Sequence, residues 1–299
     1  MSLVVEKVSK HYGNQLAVQS ISFVIQPGGV VGFLGPNGAG KSTTLKMIAG
    51  FLSPDQGSIL LHGIDIQKNP IEAKRLIGYL PELNPLYEDL YVKEYLNFIA
   101  NVHQLNNPSH KVKSVIDVLD IGSMQHKKLG DLSKGFKQRV GLAAAIIHQP
   151  ALLLLDEPNS GLDPHQLTLV RRVIKEYSQQ AMVLFSSHIL QEVTAICNQV
   201  LVMHQGKLVA NETIENLVKP TSNNLHILFE EEITHCVHLI KALDLEIVSL
   251  DKHLLVVKTV DGKDVKKIIM QFALDMGLHI ERLHTEQASL EEIFKLLTH

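Results

Sequence analysis

Short segments at residues 30–34, 151–155 and 182–186 are almost entirely apolar. Runs of this length without polar alternation are typical of strands buried on both faces of a parallel sheet. Segments with apolar residues at helical spacing lie between and after them. The predicted helices cover residues 42–49, 92–121 with a break at 106–108, 138–148, 167–177 and 190–197. This alternation predicts an α/β fold with a parallel sheet.

Other short strands indicate hairpins, and therefore an antiparallel component. Strands are predicted at 3–8 and 17–25, at 58–61 with a turn at His62-Gly63, at 77–80, and at 200–203 and 207–210 around Gln205-Gly206. The expected large domain is therefore an α/β core with an antiparallel β subdomain and a helical subdomain, the latter formed mainly by residues 92–121.

The composition changes at residues 220–224, PTSNN, which is typical of a linker. Beyond it the predicted order is strand 225–229, helix 233–243, strands 246–250 and 253–260, helix 263–276, strand 279–284 and a terminal helix at 290–297. This β-α-β-β-α-β order predicts a small α+β module of the ferredoxin-like type. We therefore expect a large domain at 1–219 and a small accessory or regulatory domain at 220–299.

Composition narrows the possible functions. The 299 residues are 45% apolar and carry a formal net charge of −3 with histidines neutral, so no nucleic-acid partner is expected. Cys197 and Cys236 do not make a disulfide framework and favour a reducing compartment. No apolar run approaches the roughly 18–20 residues of a membrane-spanning helix. Work at a membrane would therefore require a partner protein.

Residues 35–43, GPNGAGKST, fit the phosphate-loop pattern G-x-x-x-x-G-K-[S/T] between a predicted strand and a predicted helix. The candidate nucleotide ligands here are Gly35, Pro36, Asn37, Gly38, Ala39, Gly40, Lys41, Ser42 and Thr43. The glycines let backbone N–H groups approach phosphate oxygens at a helix N-terminus. Lys41 would reach the β- and γ-phosphates of ATP, and the Ser42 hydroxyl would ligate Mg²⁺.

Asp156 and Glu157 end a second apolar strand, LLLLDEP. The strand would deliver Asp156 to the Mg²⁺ ion beside Ser42. Glu157 would stand where a carboxylate could accept a proton from the attacking water. The alternative is a strand end capped by two solvated acids, which the four preceding leucines disfavour.

With these motifs in place, residues 1–218 resemble the ATP-binding-cassette (ABC) ATPases. Residues 132–136, LSKGF, are similar to the family signature, 160–163 to its D-loop and Ser187-His188 to its switch histidine. Tyr12 stands where the family stacks an aromatic ring on adenine, and Glu82 aligns with its Q-loop glutamine. The resemblance extends over several motifs in the family's order, which makes it specific.

The resemblance implies a mechanism that needs two cassettes. They would pair head to tail, so that Ser133 and Gly135 of one chain contact the ATP held by the other. Asp163, in the D-loop, would also belong to this nucleotide site. The resemblance also implies that His188 holds the γ-phosphate and orients the water, with Lys41 and Glu157 as the other catalytic residues. Glu82 would join Ser42 and Asp156 near Mg²⁺.

Two departures from the family pattern affect the expected rate. Lys134 and Phe136 replace the usual glycine and glutamine of the signature, although Ser133 and Gly135 remain. Glu82 replaces a glutamine and adds negative charge near phosphates. We expect an active ATPase, with a rate that these three residues modify.

The segment 83–98 carries Leu86, Tyr87, Leu90, Tyr91, Tyr95 and Phe98. In transporter cassettes this region receives a coupling helix of the membrane subunit, and it can equally bury its own face within a helical subdomain. The chain most resembles cassettes of bacterial ABC-2-type exporters, with the gliding-motility-type branch nearest. The resemblance implies an integral membrane permease as partner and a place at the cytoplasmic face of the inner membrane. The alternatives are a soluble ABC ATPase acting on a non-membrane partner and a regulatory nucleotide-binding module.

Overall fold

The computed structural model describes residues 2–217, 224–243, 245–258 and 264–285. The chain divides into two compact units, the first ending at Ile214 and the second beginning at Glu215. The boundary predicted between residues 219 and 220 lies outside the described ranges. The first unit extends to Ile214 because its N–H donates to the Asn198 carbonyl oxygen at 2.9 Å and so closes the preceding hairpin.

The elements of the first unit are, in chain order, β1 (Leu3–Tyr12), β2 (Gln15–Ile25), β3 (Val30–Leu34), α1 (Lys41–Ile48), β4 (Gln56–Leu61), β5 (Ile64–Asp65), α2 (Pro70–Arg75), β6 (Ile77–Leu80), α3 (Val92–Val102), α4 (Pro108–Val118), α5 (Lys134–Ile146), β7 (Leu152–Asp156), α6 (Pro164–Ser178), β8 (Met182–Ser187), α7 (Leu190–Ile196), β9 (Gln199–His204) and β10 (Lys207–Thr213). Short 3-10 helices lie at Gly122–Met124 and Leu129–Asp131. The four-residue helix α8 (Ile214–Leu217) begins at the end of this unit.

A six-stranded sheet in the order β10-β9-β3-β8-β7-β6 forms the centre of this unit. Strands β9, β3, β8, β7 and β6 pair in parallel, and β10 adds an antiparallel hairpin. Every residue of β3, β7 and β8 is buried. The continuous apolar runs therefore form the buried parallel strands that the pattern predicts.

A second sheet, in the order β2-β1-β4-β5, is antiparallel and shares one hydrophobic core with the central sheet and α1. Strand β1 continues to Tyr12, beyond the predicted end at residue 8. Asp55 explains the extension, because it accepts from the Lys10 ammonium at 2.6 Å and from the His11 N–H at 2.7 Å. These two bonds hold a polar segment in an extended conformation, which periodicity alone does not reveal.

Helices α3, α4 and α5 form the predicted helical subdomain. Helix α5 begins at Lys134, earlier than the predicted residue 138, because Ser133 caps it and its Oγ accepts from the Phe136 N–H. Helix α2 was not predicted. It has one buried residue, Ala73, and therefore no apolar periodicity.

The second unit contains β11 (Asn224–Phe229), a 3-10 turn at Thr234–Cys236, α9 (Val237–Ala242), β12 (Ile247–Leu250), β13 (Leu254–Lys258), α10 (Val265–Met276) and β14 (Ile280–Thr285). Its sheet is antiparallel in the order β12-β13-β11-β14. Side chains of α9 and α10 pack on this sheet around Phe229 and Phe272. The ferredoxin-like order is confirmed, and the terminal helix predicted at 290–297 lies outside the described residues.

Within the described ranges, no helix combines the length and the apolar character needed to cross a lipid bilayer.

Candidate active site

A cleft of about 790 Å³ lies at the carboxyl ends of the parallel strands of the first unit. Parallel sheets of this type bind ligands at that edge, where loops and helix N-termini meet. The phosphate-loop residues 37–43 line the cleft. The predicted residues Tyr12, Glu82, Glu157 and His188 also line it, from four separate elements.

The phosphate loop joins β3 to α1 and is held by its own lysine. Lys41 is 6% exposed, and its Nζ donates to the carbonyl oxygens of Gly35 at 2.6 Å and of Pro36 at 3.2 Å. Burial lowers the pKa of Lys41, and the nearby carboxylates, Glu157 first, oppose that shift. Gly40 has a φ of 105°, and a Cβ there would lie 2.6 Å from the Ala17 carbonyl oxygen. The loop conformation therefore requires glycine at residue 40.

Asp156, at the end of β7, is held by two serine hydroxyls. Ser186 on the neighbouring β8 donates to Asp156 Oδ1 at 2.7 Å, and Ser42 at the start of α1 donates to the same atom at 3.1 Å. Asp156 is 2% exposed. The structure thus brings together the hydroxyl and the carboxylate that the sequence assigns to a metal, although they lie more than a hundred residues apart in the chain.

Glu157 follows Asp156 with a φ of 49°, a left-handed conformation that is uncommon for a residue other than glycine. Its N–H donates to Ser186 Oγ at 3.1 Å, and its Oε1 lies 3.0 Å from His188 Nδ1. Burial raises the pKa of Glu157, and the hydrogen bond and charge of His188 oppose this shift. A carboxylate with a raised pKa beside an imidazole is an arrangement suited to proton transfer.

His188 follows β8 and lies partly exposed at the cleft, its side chain 49% accessible. The residue before it is anchored, because Ser187 Oγ donates to Glu192 Oε2 at 2.7 Å and accepts from the Ile189 N–H at 3.0 Å. An ionised Glu157 can only accept, so Nδ1 of His188 donates to it. This bond leaves Nε2 for another partner.

Tyr12 and Glu82 enter the cleft from the sheets around the phosphate loop. Tyr12 ends β1 and is 50% exposed, as an aromatic ring available for stacking must be. Glu82 follows β6 and is exposed. Its negative charge contributes to raising the pKa of Lys41, after the larger contributions of Glu157 and Asp156.

Five of the predicted nucleotide ligands do not line the cleft. Ser133 caps α5, and Asp163 caps α6 by accepting from the Gln166 N–H at 2.8 Å. Gly135 is buried beneath the Gln166 side chain, which a Cβ would overlap. Gly35 and Pro36 meet Lys41 through their carbonyl groups and do not line the cleft.

The substitution Phe136 in the signature is accommodated by Arg139. The guanidinium of Arg139 lies 4.1 Å from the centre of the Phe136 ring, and Nη1 donates to the carbonyl oxygens of Leu119 and Asp120. The ring therefore packs along α5 and leaves the start of the helix intact.

Sequence reasoning missed part of the cleft wall. Gln15, Leu16, Ala17, Ser160, Gln205 and Gly206 also line it. The Gly206 N–H donates to the Ala39 carbonyl oxygen at 3.0 Å, so the β9–β10 turn lies directly on the phosphate loop. The sequence indicates this turn but gives no sign of the contact, which depends on the order of strands in the sheet.

Comparisons with known proteins agree with this geometry. A family model described as "ABC transporter" matches residues 18–160. The chain is 38% identical over 224 residues to the ABC transporter ATP-binding protein NatA of Bacillus subtilis (strain 168), covering 73% of this chain and 90% of that protein. It is 35% identical over 230 residues to the bacitracin transport ATP-binding protein BcrA of Bacillus licheniformis, covering 75% and 74%. A solved ATP-binding subunit of an ABC transporter superposes with a TM-score of 0.68 at 30% identity, covering 73% of this chain and 92% of that one.

Proposed function

Because this chain belongs to the ATP-binding proteins of ABC transporters and is an ATP-hydrolysing subunit, we propose that it drives export through a separate ABC-2-type membrane permease. The observation that carries its ATPase site is the cleft lined by Lys41, Ser42, Glu157 and His188, with Asp156 hydrogen-bonded to Ser42. Such a set would provide phosphate binding, a metal site and a general base at one place.

Ser42 and Asp156 suit a magnesium ion. Mg²⁺ prefers oxygen ligands, and the Ser42 Oγ and Asp156 Oδ1 lie 3.1 Å apart at the head of the phosphate loop. Glu82 offers a further carboxylate at the cleft. When bound with ATP, the ion would supply positive charge to the β- and γ-phosphate oxygens.

In the proposed reaction, the chain's own groups bind the phosphates and move one proton. Lys41 and the N–H groups at the start of α1 would hold the β- and γ-phosphates. Glu157 would accept a proton from the attacking water. His188, fixed through Nδ1, would direct Nε2 toward the γ-phosphate. The depth of Glu157 and its raised pKa support its role as base.

Ser133, Gly135 and Asp163 are proposed to act in trans. They lie away from their own chain's cleft, at the starts of α5 and α6. A second, head-to-tail copy would bring the N-terminus of α5 to the γ-phosphate, where helix N–H groups stabilise negative charge. ATP would then lie between two chains, as ABC ATP-binding subunits pair.

A second cleft of about 660 Å³ supports the permease contact. Its lining includes Phe51, Tyr79, Leu83, Tyr95 and Val102, and Phe51 and Leu83 are 69% and 86% exposed. Exposed apolar grooves of this size are typical of helix docking. We call this surface the apolar groove and propose that it receives a helix of the permease.

Three of the four aromatic residues in segment 83–98 pack on each other, which is the second of the two roles expected for this segment. Tyr87 contacts Phe98 and Tyr95 edge-on, with ring centres 5.8 and 6.1 Å apart. Of the six residues predicted from segment 83–98, Tyr95 is the one that lines the groove. Phe51 and Tyr79 also line the groove, and their ring centres lie 5.6 Å apart.

Export and an ABC-2-type partner are proposals that go beyond the family assignment. They rest on the resemblance of the sequence and on relatives such as the bacitracin transport protein. The chain would then work at the cytoplasmic face of the bacterial inner membrane. The ferredoxin-like unit is proposed to be an accessory domain that regulates or braces the pair of cassettes. A soluble ABC ATPase with a non-membrane partner is the competing function.

The test combines catalysis with assembly. ATPase activity of the purified chain should rise more than linearly with protein concentration. Glu157→Gln should bind ATP, lose about 10²-fold or more of kcat, and elute as a dimer only with ATP. Glu176→Gln, an exposed acid on α6, is the matched control.

A tagged Glu157→Gln chain from its host should retain an ABC-2-type integral membrane protein. Retention of a soluble partner instead would favour the competing function.

A further inference from the structure

One hydrogen bond joins the signature segment to the loop that carries the proposed base. Lys134, the first residue of α5, donates from Nζ to Ser160 Oγ at 2.9 Å. Ser160 itself lines the cleft. The aliphatic part of Lys134 lies across Gly161, where an added Cβ would come within 2.5 Å of Lys134 Cδ. The Lys134 side chain thus connects the signature to residues 160–161, through its stem at Gly161 and its ammonium at Ser160.

The position of Lys134 is not explained by helix stability. A cation in the first turn faces the positive end of the helix dipole, which is unfavourable. Among the described residues, Lys134 has no carboxylate partner, and the acceptor of its ammonium is a neutral hydroxyl. One turn further along α5, Lys137 forms an ion pair with Glu88 at 3.0 Å. The two lysines therefore differ in what holds them.

The loop that begins at Glu157 needs such support. Glu157 has a left-handed backbone, a conformation that persists only where its surroundings hold it. The Ser160 N–H donates to the Glu157 carbonyl oxygen at 3.1 Å, so the backbone of Ser160 is tied to the backbone of the proposed base. The intervening Asn159 is 7% exposed, and its amide has no partner in the part of the chain that the structure describes. The Asn159 side chain therefore does not anchor the loop, although its carbonyl oxygen accepts from the Leu162 N–H at 3.2 Å.

We propose that Lys134 is a positioning residue: by holding Ser160 it fixes Glu157, and so ties the base of one site to the signature segment of the same chain. This inference rests on the proposed function, in which Ser133 and Gly135 meet the ATP of the other chain. Closure of the pair on that ATP would then be transmitted through Lys134 and Ser160 to the chain's own base. The lysine that replaces the usual glycine would thereby couple the two sites of the dimer.

The test is a double-mutant cycle with Lys134→Met and Ser160→Ala in the full chain. Methionine keeps much of the stem over Gly161 and removes the ammonium. We expect each single variant to lower kcat about tenfold, equivalent to about 1.4 kcal/mol, with KM for ATP changed less than about twofold. The double variant should be no slower than either single one, because both remove the same bond. Lys134→Arg should recover most of the activity.

Several readouts separate this role from a merely structural one. Lys137→Met, on the same helix, is the control and should leave kcat and the Hill coefficient for ATP unchanged. Lys134→Met should lower the Hill coefficient while its melting temperature stays close to the parent value. Additive losses of about 100-fold in the double variant would overturn the proposal, because the two side chains would then act independently. Normal kcat in both single variants would also overturn it. Failure of the base assignment is detected separately, by normal hydrolysis in Glu157→Gln.

Discussion

His188 Nδ1 lies 3.0 Å from Glu157 Oε1, so the two residues that end neighbouring parallel strands form one unit at the edge of the cleft. Burial raises the pKa of the glutamate, and the histidine is the largest influence in the opposite direction. The protonation state of Glu157 therefore depends on the balance between its burial, which raises its pKa, and His188, which lowers it.

His188→Ala should move the acidic limb of the kcat/KM profile to higher pH. Glu157 acts as a base only when ionised, and removal of His188 leaves the effect of burial less opposed, so the pKa of Glu157 rises further. The activity should thus be lost earlier as the pH falls, and kcat at neutral pH should drop at least about tenfold. Steady-state kinetics across the pH range would measure both effects. His110→Ala, an exposed histidine on α4, serves as control, and an unmoved acidic limb would contradict the assignment.

Ser186→Ala should raise the Mg²⁺ concentration needed for half-maximal ATPase activity by about 10-fold or more. Ser186 donates to Asp156 Oδ1 at 2.7 Å and accepts from the Glu157 N–H, so its loss frees the carboxylate proposed to hold the ion. A magnesium titration of hydrolysis would show the shift. The matched control is Ser178→Ala, another buried serine, whose hydroxyl donates to the Lys175 carbonyl oxygen far from the cleft. Equal magnesium requirements in both variants would argue against Asp156 as a ligand.

Glu82→Gln should keep ATP turnover within about tenfold of the parent, or about 1.4 kcal/mol of barrier. Glu82 lines the cleft and adds negative charge beside Lys41, which is a modest influence for an exposed group. Steady-state kinetics would decide, with Glu72→Gln, an exposed acid on α2, as control. Loss of turnover to background would show that the carboxylate has a specific role.

Phe51→Asp should abolish association with the permease and leave the ATPase activity of the isolated chain within about twofold. Phe51 is 69% exposed and stands in the apolar groove against Tyr79, away from the phosphate loop. Truncation of an aromatic side chain that becomes buried in an interface typically costs about 2 kcal/mol or more of binding free energy. Co-purification with the membrane partner is the measurement. Ile71→Asp, equally exposed at 74% but outside the groove lining, should bind normally.

The parts of the fold that the sequence predicts are those encoded within a few consecutive residues. Strands β3 and β7 are continuous apolar runs next to motifs, and both lie where predicted. The start of α5 was misplaced because Lys134 and Gly135 carry no apolar periodicity, and the cap at Ser133 fixes it instead. Helix α2 was missed because one buried alanine leaves no pattern to detect.

The candidate site likewise has one part that the sequence predicts and another that only the fold reveals. Motifs predict the candidate residues Lys41, Ser42, Asp156, Glu157 and His188. Four of them line one cleft, and Asp156 is joined to it by the hydrogen bond from Ser42. The roles of Ser160, Gln205 and Gly206 in its wall could not be predicted, because contacts across the sheet edge depend on strand order. The bond from Lys134 to Ser160 is likewise invisible in the sequence, since it needs the spatial placement of a loop beside a helix start.

The two hydrogen bonds from Lys41 to the carbonyl oxygens of Gly35 and Pro36 give the phosphate loop a shape fixed from within. When nucleotide binds, the Lys41 ammonium would exchange these carbonyl oxygens for phosphate oxygens, with little rearrangement of the backbone. Little conformational entropy would then be lost in the loop when ATP binds, and more of the binding free energy would remain for bringing the two chains together.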